Sequence, residues 1–295
     1  MSDKPVSIPR ESALYSPIRT GTFRVSDGRW LQWAEFGRAG GVPIVSFHGA
    51  PGSRGEASMY GPAAHHFGAR VIALSRPGFG QSTPQPGRSL SGFIDDTRDF
   101  LDAEGIDHVG VTGYSAGGPY ALAAAALLGD RVVSVNLLAP VAPPSMTGML
   151  PGPSIPLIAG QAVHSQIAKY LPATHQRFLR LNSRSVRELG LPDVSGAAFL
   201  ESVRAAFTHG PRTVLQDWAL TFGRWDFDLE ALQNRPIDIW QGKRDLSVPW
   251  RGTTRMAKHL PGARVHLDAR ANHFSVFTSH ADESIAALTA ALRLR

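Results

Sequence analysis

The stretch Val109-Gly110-Val111-Thr112-Gly113-Tyr114-Ser115-Ala116-Gly117-Gly118-Pro119 limits what this chain can fold into more than any other. A short apolar run gives way to small residues and then to alanine-rich helix former from Tyr120 to Leu128, ended by Gly129. It reads as strand, sharp turn, helix. Ser115 must take a strained, positive-φ conformation at the turn tip, and side chains at Gly113 or Gly117 would collide with the neighbouring strand and helix. The hydroxyl would then stand at a helix N-terminus, whose dipole favours a developing alkoxide or oxyanion. In a chain with 30 glycines the pentapeptide also arises as a plain structural turn, so its weight depends on its surroundings.

Those surroundings alternate. Two segments around Asp27-Gly28 predict a hairpin at the first sheet edge. Val42–Phe47 and Ala69–Leu74 are apolar runs that end in glycine- and proline-rich loops, His48-Gly49-Ala50-Pro51-Gly52-Ser53 and Ser75-Arg76-Pro77-Gly78-Phe79-Gly80-Gln81-Ser82. Ser91 to Glu104 has apolar residues at helical spacing and leads into the strand at Val109, and Arg131–Ala139 gives another strand. This pitch predicts a parallel sheet wrapped on both faces. From Pro140 to about Asn234 the strand signals vanish. Helices are expected at Gln161–Leu171, Thr174–Leu181, Ser185–Leu189, Gly196–Phe207 and Pro211–Phe222. Strands return at Pro236–Trp240 and Ala263–Leu267, and a last helix at Asp282–Leu294. The organisation expected is an arm at 1–20, a core of 21–141 and 235–295, and an all-helical cap at 142–234.

Composition removes several chemistries. With no cysteine, disulfides, thiolate metal sites and a cysteine nucleophile are excluded, and the opening residues have no apolar core of signal-peptide length. A cytoplasmic protein with no membrane span is expected. The net charge of +6 comes from 30 scattered Lys and Arg rather than a basic run, which argues against nucleic acid as a partner. The remaining histidines lack the paired spacing with acids that a metal site needs, so neither metal nor cofactor is expected.

A serine hydroxyl is scarcely ionised near neutral pH and needs a base, itself oriented by an acid. His273, in Asn272-His273-Phe274, follows the last expected strand. Asp245, in Gly242-Lys243-Arg244-Asp245-Leu246-Ser247-Val248-Pro249, follows the strand before it. In a parallel sheet both fall on the rim that holds Ser115. The plainer alternatives are a structural histidine and a surface carboxylate paired with Lys243 or Arg244. For His48 the reading is a brace of its loop by hydrogen bonds, for Arg76 a structural turn, for Asp268 a solvated strand-end charge, and for Trp218 cap or core packing.

Taken in order, these motifs resemble the α/β-hydrolase superfamily, in its capped, serine-nucleophile, lipase-like and epoxide-hydrolase-like branch. The resemblance runs from about Thr22 onward. It implies a mostly parallel eight-stranded sheet with helices on both faces and an inserted helical cap, a triad of Ser115, Asp245 and His273, and an oxyanion hole from the N–H groups of Ala50 and Ala116. Two positions depart from it: Ser75 stands where many relatives have aspartate, and Asn272 where they have glycine. Epoxide hydrolases and haloalkane dehalogenases use aspartate where this chain has Ser115. The expectation is therefore a serine hydrolase acting on a small-molecule ester or lactone. C–C bond hydrolysis of diketone-like compounds comes second, aminopeptidase activity third, and a catalytically slow ligand-binding protein on the same scaffold is the rival from outside enzymology. Between 143 and 225 eight Lys and Arg face four acids, which suits a neutral or carboxylate-bearing substrate better than an ammonium. Oligomeric state is not legible.

Overall fold

The computed structural model describes residues 13–147, 193–233 and 235–295. Most of the expected arm and the helices expected at Gln161–Leu171, Thr174–Leu181 and Ser185–Leu189 lie outside the described residues. The strands are β1 (Arg19–Arg24), β2 (Trp30–Gly37), β3 (Val42–Phe47), β4 (Ala69–Leu74), β5 (Val109–Tyr114), β6 (Val132–Leu138), β7 (Ile237–Gly242) and β8 (Ala263–Asp268). They form one eight-stranded sheet in the order β1-β2-β4-β3-β5-β6-β7-β8. β1 and β2 are the expected hairpin, with Gly28 at φ 91° in its turn. β2 also runs antiparallel to β4, and every pairing from there to β8 is parallel.

Among the described residues the helices are α1 (Gly61–Phe67), α2 (Leu90–Ala103), α3 (Gly117–Leu127), α4 (Pro144–Thr147), α5 (Asp193–Ala205), α6 (Pro211–Thr221), α7 (Trp250–Ala257) and α8 (Ser275–Arg293). α2 starts at Ser89, whose hydroxyl accepts the Gly92 N–H, and it buries Leu90, Phe93, Ile94, Thr97, Phe100 and Leu101 along one face. With Tyr120 and Leu122 of α3 these side chains cover one face of the sheet, against Val45, Val111 and Val135. α1 and α8 cover the other, where Ala63, Phe277, Ile285 and Leu288 meet Ile44, Val71 and Leu138. Burying a Phe or Ile fully contributes about 1.5–3 kcal/mol, so these two layers hold the sheet. The middle strand β5 is buried along its whole length and runs directly into Ser115.

Three segments differ from the sequence expectation, and one of them is α7 (Trp250–Ala257), which lies where no helix was expected. The glycine- and proline-rich loop after β3 continues into a 3₁₀ helix, Arg54–Tyr60, and then α1. The last helix begins at Ser275 rather than Asp282, because the Asn272 side chain accepts the N–H groups of Phe274 and Ser275 at 3.0 and 2.9 Å and caps it seven residues earlier. Between β6 and β7 the described residues contain helix and no strand. Among the described residues no helix is long and apolar enough to cross a membrane.

Candidate active site

Parallel strands send their C-terminal ends to one rim, and β5, β7 and β8 each deliver one of the residues picked out above. Ser115, directly after β5, has φ 53°. The turn is pinned on both sides: Ser115 N–H donates to Leu138 O, and Ser115 O accepts from Gly118 and Val141, all at 3.0 Å. A Cβ on Gly117 would run into the Phe47 carbonyl, and one on Gly113 into the Gly117 backbone. Both glycines are therefore required by close approach.

The three side chains meet in series. His273 Nε2 lies 3.1 Å from Ser115 Oγ, and His273 Nδ1 lies 2.7 Å from Asp245 Oδ2. The Asp245 side chain is fully buried, so the alternative of a surface carboxylate does not apply. Besides His273, it accepts the Ser247 and Val248 N–H groups at 2.8 and 2.7 Å and the Gln241 side-chain amide at 3.1 Å. Gln241 is held in turn by the Thr253 hydroxyl at 3.0 Å. The backbone of His273 is anchored by the Tyr114 hydroxyl, which donates to its carbonyl at 3.1 Å. With Nδ1–H directed at Asp245, Nε2 is left free to accept from Ser115.

The loop after β3 faces this relay. His48 Nδ1 donates to Gly49 O at 2.8 Å while its Nε2 accepts the Arg76 N–H at 3.3 Å. That pattern is a neutral imidazole, and burial followed by the Arg76 charge pushes its pKa well down. His48 thus braces its own loop. Arg76 does more than shape a turn: it is fully buried and donates to His48 O at 2.5 Å and Gly49 O at 2.9 Å. Its other face pairs with Asp217 of α6, at 3.1 and 2.8 Å, where Arg88 and the Tyr120 hydroxyl also converge. Trp218, beside it on α6, donates to Ala50 O at 3.3 Å. Among the described residues every peptide group from His48 O to Ala50 O has a partner except the Ala50 N–H, and the Ala116 N–H has none either. Two free donors beside a serine hydroxyl suit a carbonyl oxygen gaining charge.

An open cavity lies over these groups. Phe199, Leu200, Val203, Trp218 and Phe222 from α5, α6 and the residue after it wall one side, and Val141 and Val248 narrow the other. Such a space takes a small, largely apolar molecule presenting a carbonyl to Ser115.

The sequence matches the family described as alpha/beta hydrolase fold over residues 42–279. The chain belongs to that family. This alpha/beta hydrolase is 27% identical over 249 residues to 2-hydroxymuconate semialdehyde hydrolase of Pseudomonas putida, a match covering 80% of the chain and 82% of that protein. It is 36% identical over 113 residues to the dihydrolipoyllysine-residue acetyltransferase component of the acetoin cleaving system of the same organism, covering 38% of the chain but 30% of that protein. The crystal structure of bromoperoxidase from Bacillus anthracis superposes with a TM-score of 0.69 at 22% identity, covering 93% of this chain and 100% of that one, and so shares the fold.

The departures from the resembled pattern have local reasons. Asn272 caps α8, as described above, and the Ser75 hydroxyl accepts the Arg54 N–H at 3.1 Å at the start of the 3₁₀ helix. Asp268 is no free strand-end charge: it accepts the Arg270 and Ala271 N–H groups and pairs with His280 at 3.2 Å, shaping the turn that leads to His273. Sequence reasoning missed Tyr114, Gln241 and Glu56 and took Asp217 for an ordinary cap acid. Only the position of Tyr114, inside the pentapeptide, carried a usable signal.

Proposed function

We propose that this chain is a serine hydrolase that cleaves small carboxylic esters or lactones through an acyl-enzyme, with residues 142–234 acting as a cap over the substrate. Ser115 Oγ attacks the carbonyl carbon as His273 Nε2 takes its proton, and Asp245 holds the imidazole in the required tautomer and faces the positive charge that forms on it. The Ala50 and Ala116 N–H groups bind the oxyanion. The imidazolium returns the proton to the departing alkoxide, and water, deprotonated by the same nitrogen, releases the acid and frees Ser115.

The observation that carries this reading is the unbroken series Ser115, His273, Asp245 at 3.1 and 2.7 Å beneath an apolar cavity. A second reading, hydrolysis of a C–C bond next to a ketone with the same residues, is favoured by the long match to 2-hydroxymuconate semialdehyde hydrolase. Aminopeptidase activity loses support because Asp217, an acid of the cap, is fully buried on two arginines and is not offered to a substrate ammonium.

Intact-mass analysis after a fluorophosphonate probe tests the nucleophile. One adduct is expected on the protein and none on Ser115→Ala, and that substitution should lower kcat by roughly 10⁴-fold or more. Esterase activity retained in Ser115→Ala would overturn the assignment, and an unreactive Ser115 would favour a binding protein on the same scaffold. A panel of 4-nitrophenyl esters of graded acyl length beside a diketone separates the two enzymatic readings.

A further inference from the structure

Among the described residues the cavity wall holds a carboxyl that acyl transfer leaves unused. Glu56, in the 3₁₀ helix Arg54–Tyr60, is 1% exposed and lines the cavity together with Gly49, Ser115 and His273. Both its carboxyl oxygens face a single donor, the Gly49 N–H, at 3.0 and 3.1 Å. Glycine geometry fixes its place relative to the nucleophile. A Cβ on Gly49 would lie 3.3 Å from Glu56 Oε2, 3.4 Å from the Tyr114 ring and 3.5 Å from Ser115 Cβ. A glycine-sized gap therefore separates the carboxyl from the stem of Ser115.

Burial raises the Glu56 pKa to about 8, against the Gly49 hydrogen bond and the Arg76 charge, which both lower it. The shift favours the protonated carboxyl near neutral pH. The titratable and charged groups around it are Arg76 from the loop after β4, His48 behind its own loop, Tyr60 on the same 3₁₀ helix and Tyr114 at the end of β5, with Asp245 beyond Tyr114. Packed over this turn, α5 contributes Ser202, whose hydroxyl is engaged with Ser53, while its Glu201 and Arg204 pair with each other at the surface. Among the described residues the Gly49 N–H is the hydrogen-bond partner seen at the Glu56 carboxyl, and none of these other groups is bonded to it. A carboxylic acid that uses one oxygen to accept an N–H still has an O–H to place, and a buried donor without an acceptor is costly.

We propose that Glu56 is a specificity-determining residue whose carboxyl O–H donates to an acceptor oxygen carried by the substrate on the carbon next to the scissile carbonyl. The favoured substrates are 2-oxo, 2-hydroxy or 2-alkoxy acyl compounds rather than plain alkanoyl ones. The inference rests on Ser115 being the residue that is acylated. It also explains why a carboxyl can sit so near an oxyanion site: neutral, it adds no repulsion to the charge that forms there.

The test compares 4-nitrophenyl 2-methoxybutanoate with 4-nitrophenyl butanoate, each kcat/KM divided by the ester's own hydroxide-catalysed rate, with Ser115 first shown to be labelled by a fluorophosphonate. At pH 6.5 the corrected ratio should favour the methoxy ester by about 10-fold, the effect of one net hydrogen bond, and this should fade as pH rises through 8. Glu56→Gln, whose amide donates at every pH, should keep the preference at pH 9. Glu56→Leu should lack it throughout. An unlabelled Ser115 would sink both the hydrolase reading and this inference. A labelled Ser115 with a corrected ratio of one at pH 6.5, a preference that survives Glu56→Leu, or a stronger preference for the 2-amino ester, would overturn this inference alone.

Discussion

Ser115 and Ala139 are the two non-glycine residues with positive φ among the described residues, at 53° and 45°, and they sit side by side at the ends of β5 and β6. Such conformations cost of order 1–3 kcal/mol each and persist only where neighbours over-determine them. Here the Leu138 carbonyl and the Gly118 and Val141 N–H groups do so for Ser115, and the Trp240 carbonyl, 2.9 Å from the Ala139 N–H, does so for Ala139. Glu56 is a different kind of strain, a charge that burial suppresses. Its pKa is raised to about 8 in the folded protein from an ordinary 4.5, so between those values the unfolded chain releases a proton that the folded chain retains. The stability contributed by neutral Glu56 is complete below about pH 4.5, drains as pH climbs, and is gone above about 8. Glu56→Gln keeps an acceptor for Gly49 and cannot ionise. Its melting temperature relative to the unsubstituted protein should therefore rise from pH 5 to about pH 8 and level off above it, and a difference independent of pH would show that Glu56 does not titrate in this range.

At the scale of elements, α6 is tied to the core by charge as much as by apolar contact. Asp217 receives Arg76, Arg88 and the Tyr120 hydroxyl inside the protein, and Arg88 also donates to the carbonyls of Pro77 and Thr213. Two guanidinium groups around one carboxylate form a buried cluster in which removing the anion leaves both cations uncompensated. Asp217→Asn should cost about 3–5 kcal/mol in urea unfolding, the range for breaking a buried pair from one side. Because Arg76 also holds the His48 and Gly49 carbonyls, the same change should slow fluorophosphonate labelling of Ser115 in the fraction that stays folded. Loss of stability with an unchanged labelling rate would mean that α6 and the loop after β3 are mechanically independent. α3 gives the opposite case, an element whose position depends on having no side chain at Gly113 and Gly117.

Across the whole molecule, the sheet was legible because its signals are local: β3 and β4 occupy Val42–Phe47 and Ala69–Leu74, the bounds that the apolar runs predict. The candidate site was legible where a residue sits at the end of a strand or in the loop just after it, as Ser115, Asp245 and His273 do. Glu56 and Asp217 were not, because Ser53-Arg54-Gly55-Glu56 and Leu215-Gln216-Asp217 look solvated until the fold buries them. The early start of α8 was hidden by the polar residues Ser275, Thr278 and His280 in its opening turns. One property is readable only from the entire chain, its net charge of +6. A positive field concentrates anions around the protein, and added salt screens it within about 10 Å at 0.1 M. Since the basic residues are scattered, the gain should fall below the roughly 10-fold that begins to be reached in focused clefts. For a carboxylate-bearing ester, kcat/KM should drop by a factor of about 3 between 10 and 300 mM salt, while a neutral ester of the same alcohol holds constant. If the anionic ester is as insensitive to salt as the neutral one, the charge serves solubility and plays no part in gathering substrate.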